Sequence, residues 1–220
     1  TIVDQLDNGG YQYILKDIEG RSCCLLQTNK DFSEGVCALN GNEQMRHFGL
    51  NNALMMLYAF RSSFFHTLLI HASLVRNNGY GYAFIAKSGT GKSTHVSLWL
   101  KHLKGCDLMN DDNPVVRVID GEAMIYGSPW SGKTPCYRQV KAPLGAITQI
   151  DRAQANSVDR LSPLQALAIL LGIFQCTEQA ELVVLTQHLV EQHRGALVGP
   201  DVPVIVAGQP VEEAEHPHGF

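Results

Sequence analysis

The sequence predicts an α/β fold in which a mixed sheet carries an antiparallel hairpin leading into a glycine-rich loop, with flanking helices. Residues 67–75 and 80–86 are rich in apolar and β-branched side chains, which is typical of strands. Asn77-Asn78-Gly79 separates the two runs and indicates a tight hairpin turn. Beyond the loop 87–91, apolar residues recur at the spacing of an amphipathic helix: Val96, Trp99, Leu100 and Leu103.

Composition limits the class of protein. The chain has 220 residues, of which 45% are hydrophobic, and a formal net charge of −4. Its length predicts one domain of about 150 residues with an added segment, and its apolar content excludes intrinsic disorder as the main state. A chain with net negative charge lacks the excess of basic residues that is typical of nucleic-acid-binding proteins, and it is not favoured at anionic membranes. We therefore expect neither nucleic acid nor a membrane as a partner.

The cysteines and the apolar runs bear on the environment of the protein. Six cysteines occur without any C-x-x-C pair, which predicts reduced thiols and a cytoplasmic location. The longest apolar run, 166–174, is too short to span a bilayer.

The chain divides by pattern into three parts. We predict an N-terminal strand and helix segment over 1–60, a core domain over 61–215 and a disordered tail over 216–220. Residues 11–40 indicate short strands, and 43–60 a helix. That helix has an apolar stripe made of Met45, Phe48, Leu54, Leu57 and Tyr58.

The core domain contains further predicted elements. Ser162-Pro163 is a typical helix start, with a capping serine and a proline at the first helical position. Asp120-Gly121 indicates a hairpin between two strands. The remaining strands are predicted at 106–109, 114–119, 123–126 and 202–206, and the remaining helices at 164–174, 178–192 and 211–215.

Residues 86–94, AKSGTGKST, match the phosphate-binding loop pattern G-x-x-x-x-G-K-[ST] with Ala86 at the first glycine position. A polyphosphate needs inward-pointing backbone N–H groups, and glycines let the chain curl closely around it. Lys92 supplies a cation for the β and γ phosphates, and the Ser93 hydroxyl a ligand for Mg²⁺. The predicted nucleotide-binding residues are Ser88, Gly89, Thr90, Gly91, Lys92, Ser93 and Thr94.

A second stretch, 127–134 (GSPWSGKT), fits the same pattern more literally. Pro129 removes one of the required N–H donors, and no clear amphipathic helix follows Pro135. Two interpretations stay open. The stretch faces the phosphates and adds Lys133 as a second cation, or it is a structural turn at a strand end.

Three further residues complete the candidate site. Asp111 and Asp112 follow an apolar run, where a nucleotide site holds Mg²⁺ and a proton acceptor. His71 lies in a predicted strand beside the one that feeds the loop, where it is either a functional group or a core residue.

The order and spacing of these features resemble the catalytic domain of HPr kinase/phosphorylase. The family motifs H-G-x-L-V, G-x-S-G-x-G-K-S and D-D correspond to residues 71–75 (HASLV), 86–93 (AKSGTGKS) and 110–112 (NDD). The resemblance covers residues 65–135, and extends over residues 136–215 only in the order of the elements. ATP-dependent phosphoenolpyruvate carboxykinase has the same type of loop and is a more distant likeness.

The resemblance implies a P-loop core of this type, with ATP and Mg²⁺ as cofactors. Lys92 and Ser93 would bind phosphates and the metal, Asp112 would be the metal carboxylate, and Asp111 would take the acceptor proton. His71 would lie beside the transferring phosphoryl group. Assembly as a homo-oligomer is implied as well.

One family segment is missing. In place of an E-I-R-G-L-G-I type signature, the chain has YGSPWSGK at 126–133. That segment governs phosphate attack in the family, so the departure bears on the reverse phosphorylase activity and on HPr as the acceptor. Lys133 or Arg138 would stand in for the missing arginine.

The sequence thus predicts an Mg-ATP-dependent kinase acting on a hydroxyl, either a serine of a protein or peptide or a small molecule. Two alternatives stay open: a carboxykinase-like enzyme, and a non-catalytic regulatory module that binds nucleotide.

Overall fold

Two units make up the computed structural model of the chain, and they divide between Leu69 and Ile70. The residues it describes are 2–87, 89–132, 134–162, 164–166, 169 and 204–210. In this part of the chain, no helix has both the length and the apolar character needed to cross a membrane.

The first unit is an antiparallel sheet with one long helix. Its elements are β1 (Ile2–Gln5), β2 (Tyr11–Lys16), β3 (Ser22–Thr28), β4 (Gly35–Leu39), α1 (Glu43–Ser63) and β5 (Thr67–Leu69). The sheet has the order β1-β2-β3-β4. Asn42 caps α1 by accepting a hydrogen bond from Met45 N at 2.9 Å. The predicted helix is confirmed and continues to Ser63.

The buried face of α1 differs from the predicted stripe. Met45 and Leu57 pack against the core, but Phe48, Leu54 and Tyr58 are exposed. The positions facing the sheet include Gly49, Ala53 and Phe60. A Cβ added to Gly49 would lie 2.8 Å from the carbonyl oxygen of Cys23, so a small residue is needed for this close approach.

The second unit is built on a mixed sheet. Its elements are β6 (Ala72–Asn77), β7 (Tyr80–Ile85), α2 (Lys92–His102), β8 (Asp107–Asp112), β9 (Val115–Ile119), β10 (Glu122–Tyr126), β11 (Lys141–Ala153), β12 (Ser157–Arg160) and β13 (Val204–Pro210). Its strands run in the order β9-β10-β11-β7-β6-β8, and β13 lies between β11 and β12. The β11–β7 and β11–β13 pairs are parallel and the others antiparallel. The predicted mixed sheet is confirmed.

The hairpin before the loop is also confirmed. Strands β6 and β7 are paired up to Asn77 and Tyr80, the last pair before the turn. Both turn residues have positive φ, 50° at Asn78 and 83° at Gly79. The strand predicted over 67–75 is instead two strands, because the chain breaks at Ile70 and His71. His71 therefore precedes β6 instead of lying inside an apolar strand.

α2 packs on the sheet through part of its predicted stripe. Val96 is buried with Phe84, and Trp99 packs against them, whereas Leu100 and Leu103 are exposed. Burial lowers the pKa of His95, whose ring stands edge-on to Phe84 at 4.6 Å.

The C-terminal predictions are tested in part. Ser162 and Gln165 form a capping box, in which Ser162 N donates to Gln165 Oε1 at 3.0 Å and Gln165 N to Ser162 Oγ at 3.4 Å. The predicted strand 202–206 is seen from residue 204 as β13. The rest of the first predicted helix beyond 169, the helices at 178–192 and 211–215, and the tail 216–220 lie outside the described residues.

Candidate functional site

Strand register brings His71, Asp111, Asp112 and the start of α2 to one edge of the sheet. β6 is antiparallel to its two neighbours, and Ser73 pairs with Phe84 of β7 and with Asp111 of β8. β6 therefore begins where β7 and β8 end. Because β11 runs parallel to β7, with Gln149 opposite Ile85, β11 continues toward the same edge. In open α/β sheets, ligands bind at this end of the parallel strands.

Residues 86–91, here termed the glycine loop, join β7 to α2. Gly89 has φ 78° and Gly91 has φ 117°, a region of conformational space that favours glycine. Gly91 is the N-cap of α2, with no side-chain cap and no acidic residue in the first turn. The N-terminal end of a helix has a positive partial charge, which attracts anions.

Lys92, His71 and Asp112 form a continuous chain of hydrogen bonds. Lys92 Nζ lies 2.7 Å from His71 Nε2, and His71 Nδ1 lies 3.0 Å from Asp112 Oδ1. The neutral histidine with its proton on Nδ1 satisfies both contacts, since it donates to the carboxylate and accepts from the lysine. Lys92 Nζ also donates to the carbonyl oxygen of Ala86, at 3.3 Å.

Asp112 remains ionised in this setting. The hydrogen bond from His71 is the main cause that lowers its pKa, helped by the charge of Lys92 and a hydrogen bond from Asn113, while partial burial opposes the change. Asn113 Nδ2 donates to Asp112 Oδ2 at 2.8 Å. The carboxylate is therefore negative at neutral pH and held beside a cation.

Asp111 lies in a different environment. Its side chain is buried, and Oδ1 accepts a hydrogen bond from Ser73 Oγ at 2.8 Å. Oδ2 accepts one from Thr134 N at 3.3 Å, which is longer than the usual N–H···O distance. The two neighbouring carboxylates are thus held by different partners.

Residues 127–132 and 134–136 cover the outer edge of β8. Asn110 is fully buried, and its Nδ2 donates to the carbonyl oxygen of Trp130 at 3.0 Å and to Ser128 Oγ at 3.3 Å. Gly132 N donates to the carbonyl oxygen of Asp111. Strand β8 and this segment therefore hold each other in place.

Packing accounts for both glycines of the second loop-like stretch. A Cβ on Gly127 would lie 2.2 Å from the carbonyl oxygen of Arg138, and one on Gly132 would lie 2.7 Å from that of Asp111. No helix follows over residues 134–140. The two glycines of the pattern at 127–132 are thus needed for close backbone contact with β8 and its neighbours.

The other predicted residues fall as follows. Ser93 and Thr94 are exposed in the first turn of α2. Ser88 and Lys133 lie outside the described residues, so their predicted roles stay predictions. Arg138 donates to Asp107 Oδ2 at 2.6 Å, at the start of β8, which is the end away from Asp111 and Asp112.

Sequence reasoning missed three residues of this region. Ser73 contacts Asp111, Asn110 contacts the 128–130 segment, and Arg152 contacts Gly89. Ser73 and Asn110 lie within two residues of predicted site residues, which is a weak signal. Arg152 has no such signal, because it comes from a strand that was not predicted.

No protein-family model and no curated protein matches the chain. Among solved structures, the Hpr(Ser) kinase/phosphatase from Coxiella burnetii is similar over 68% of this chain and 82% of its own, at 10% identity and a TM-score of 0.32. A likeness this remote carries no conclusion about function, which must rest on the side chains themselves.

Proposed function

We propose that this chain is an Mg-ATP-dependent kinase that transfers the γ-phosphoryl group to a hydroxyl acceptor. The observation that carries the proposal is the hydrogen-bonded chain Lys92–His71–Asp112 beside the glycine loop and the N-terminus of α2. A cation, a helix N-terminus and an ionised carboxylate at one sheet edge suit a metal-bound polyphosphate.

The donor set fits both cofactors. Lys92 and the first turn of α2 would bind the phosphates, and the Ser93 hydroxyl with the Asp112 carboxylate would hold Mg²⁺, which prefers oxygen ligands. Among the described residues no three His, Cys, Asp or Glu side chains form a metal cluster. One carboxylate suffices here, because Mg²⁺ in such sites takes its other ligands from phosphates and water. When bound, the ion would neutralise charge on the phosphates.

Asp111 is the proposed proton acceptor. Its Oδ2 has the weaker of the two contacts, 3.3 Å to Thr134 N, so an acceptor hydroxyl can replace that contact while Ser73 keeps Oδ1 in place. The hydroxyl oxygen would form the new bond to phosphorus, its proton would pass to Asp111, and ADP would leave. Asp112, bound to His71, would stay with the metal.

Nucleotide binding is the first test. Thermal unfolding would be followed with and without Mg-ATP for the wild type, Lys92→Ala and the control Lys101→Ala, an exposed lysine in the last turn of α2. A ligand at 100 times its Kd stabilises by about 2.7 kcal/mol, which raises Tm by a few degrees at this size. We expect this shift in the wild type and the control, and its loss in Lys92→Ala. No shift in the wild type would overturn the proposal.

Phosphoryl transfer is the second test. γ-Labelled ATP would be incubated with the protein and a library of serine peptides and small alcohols. Label in an acceptor supports the kinase. Binding with neither transfer nor hydrolysis would overturn it in favour of a non-catalytic nucleotide-binding module.

A further inference from the structure

An exposed arginine contacts the glycine loop from another element. Arg152 Nη2 donates to the carbonyl oxygen of Gly89 at 2.9 Å, across 63 positions of sequence. Arg152 lies near the end of β11, whereas Gly89 lies between β7 and α2. The contact is therefore a consequence of strand pairing.

The register of β11 explains this position. Gln149 pairs with Ile85, the last residue of β7, and β11 continues for four more residues alongside β13. At about 3.3 Å per residue, Arg152 lies about 10 Å beyond that pair. The glycine loop leaves β7 at the same edge, so the strand presents Arg152 to the loop.

Among the described residues, no acidic side chain pairs with Arg152. Arg61 pairs with Asp31, and Arg76 and Arg138 pair with Asp107. In the described part of the chain, the Arg152 side chain forms no ion pair, and its only hydrogen bond is to a neutral carbonyl. A guanidinium has five N–H donors in a planar fork that suits phosphate oxygens.

We infer that Arg152 is a second cationic ligand for the polyphosphate, in addition to Lys92. The inference rests on the proposed function, since it assigns a residue to the same site. One donor of the guanidinium holds Gly89, and the remaining donors bind phosphate oxygens. The side chain then favours ligands with more phosphate charge, in the order ATP, ADP, AMP.

The test distinguishes the effect of the Arg152 charge from the effect of its hydrogen bond to the glycine loop. Affinities for Mg-ATP, Mg-ADP and AMP would be measured by calorimetry for the wild type, Arg152→Lys, Arg152→Gln and the control Arg117→Ala, an exposed arginine on β9. Glutamine keeps an N–H donor for Gly89 but removes the charge. We expect Arg152→Gln to weaken Mg-ATP binding about tenfold, with a smaller loss for Mg-ADP and little for AMP. Arg152→Lys should recover part of the affinity, and Arg117→Ala should match the wild type.

Each other outcome has a distinct meaning. If Arg152→Gln binds Mg-ATP as the wild type does, or loses equal affinity for all three nucleotides, the inference is wrong while the proposed function stands. If the wild type binds no nucleotide, both are overturned. Tm measured without nucleotide, which should match the wild type, confirms that each variant is folded.

Discussion

Lys92 Nζ lies 2.7 Å from His71 Nε2, so two side chains that are cationic when protonated share one contact. Both ring nitrogens have a partner when Lys92 donates to Nε2 and Nδ1 donates to Asp112, which lies 3.0 Å away. In the proposed kinase, a polyphosphate would compete with the histidine for Lys92. The ring held by Asp112 would then lie beside the phosphoryl group.

Acid should weaken the fold through Asp112. Its pKa lies below the ordinary value, mainly because His71 donates a hydrogen bond to it. The carboxylate therefore stabilises the folded state above its unfolded pKa of about 3.9, and this contribution is lost as pH falls through the lower, folded value. We expect wild type to be more stable than Asp112→Asn at neutral pH, and the difference to shrink below about pH 4.

Urea unfolding of both proteins between neutral and acidic pH measures this difference. Asp159→Asn, at an exposed position on β12, is the matched control and should differ little from wild type at any pH. An Asp112→Asn difference that stayed constant through the acid range would show that the charge of Asp112 adds no stability.

Ser73 should stabilise the protein through a hydrogen bond to a buried carboxyl group. Its hydroxyl donates to Asp111 Oδ1 at 2.8 Å, and both residues are buried. Leaving a buried hydrogen-bond acceptor without its partner costs about 1–3 kcal/mol, so we expect a loss of this size in the free energy of unfolding of Ser73→Ala. Chemical denaturation measures it.

The control is Ser97→Ala, since that exposed hydroxyl donates to the carbonyl oxygen of Ser93 in its own helix. Its change should stay within about 0.5 kcal/mol. Equal effects of the two variants would mean that Ser73 does not support Asp111.

Gly127 should be intolerant of any side chain. An added Cβ would meet the carbonyl oxygen of Arg138 at 2.2 Å and that of Met109 at 2.9 Å, both of which are backbone atoms. Gly127→Ala must therefore move the segment away from β8, at a cost of about 1–3 kcal/mol. Thermal unfolding beside Pro129→Ala, a change at an exposed position of the same segment, measures this cost. A Gly127→Ala variant as stable as Pro129→Ala would contradict the close contact.

The cysteines of β3 should be unreactive in the folded protein. Burial raises the pKa of Cys24 to about 12, with Cys37 nearby adding to the effect, and burial also raises that of Cys23. Because the thiolate is the reactive form, we expect iodoacetamide at pH 8 to modify neither residue until urea is added. Peptide mass spectrometry locates the label. Modification of Cys24 at the rate of an exposed thiol in native protein would contradict this.

Local signals predicted the elements around the glycine loop. The Asn78-Gly79 turn and the apolar spacing in α2 act between near neighbours in sequence, so they can be recognised without the fold. β11 was missed because Pro143 and Gly145 are unfavourable for a regular strand. Its register shifts at Gly145, where a Cβ would meet Tyr82 at 3.0 Å.

The position of Arg152 depends on the parallel pairing of β11 with β7, which no local pattern contains. The buried face of α1 was missed for another reason: Gly49 and Ala53 allow close approach to the sheet but add little to an apolar stripe. The predicted pair Asp111 and Asp112 occupies the end of a strand as expected, yet only the structure distinguishes their partners.

The two carboxylates should differ in what they contribute to the proposed reaction. Asp111 is buried and held by Ser73, whereas Asp112 is half-buried and bonded to His71 near Lys92. If Asp111 takes the acceptor proton, Asp111→Asn should lower kcat by a factor of about 10²–10⁴ and leave the Kd for Mg-ATP within about twofold. If Asp112 holds the metal, Asp112→Asn should instead weaken Mg-ATP binding and raise the Mg²⁺ concentration needed for half-maximal activity.

Titration of activity with Mg²⁺ at saturating ATP, combined with calorimetric binding, separates the two effects for each variant. The reverse pattern, with metal dependence changed by Asp111→Asn and kcat alone by Asp112→Asn, would exchange the two roles. Equal loss of nucleotide binding in both variants would mean that the pair acts as one electrostatic unit. In that case the proton would have to pass to another group, and His71, oriented by Asp112, would be the next residue to substitute.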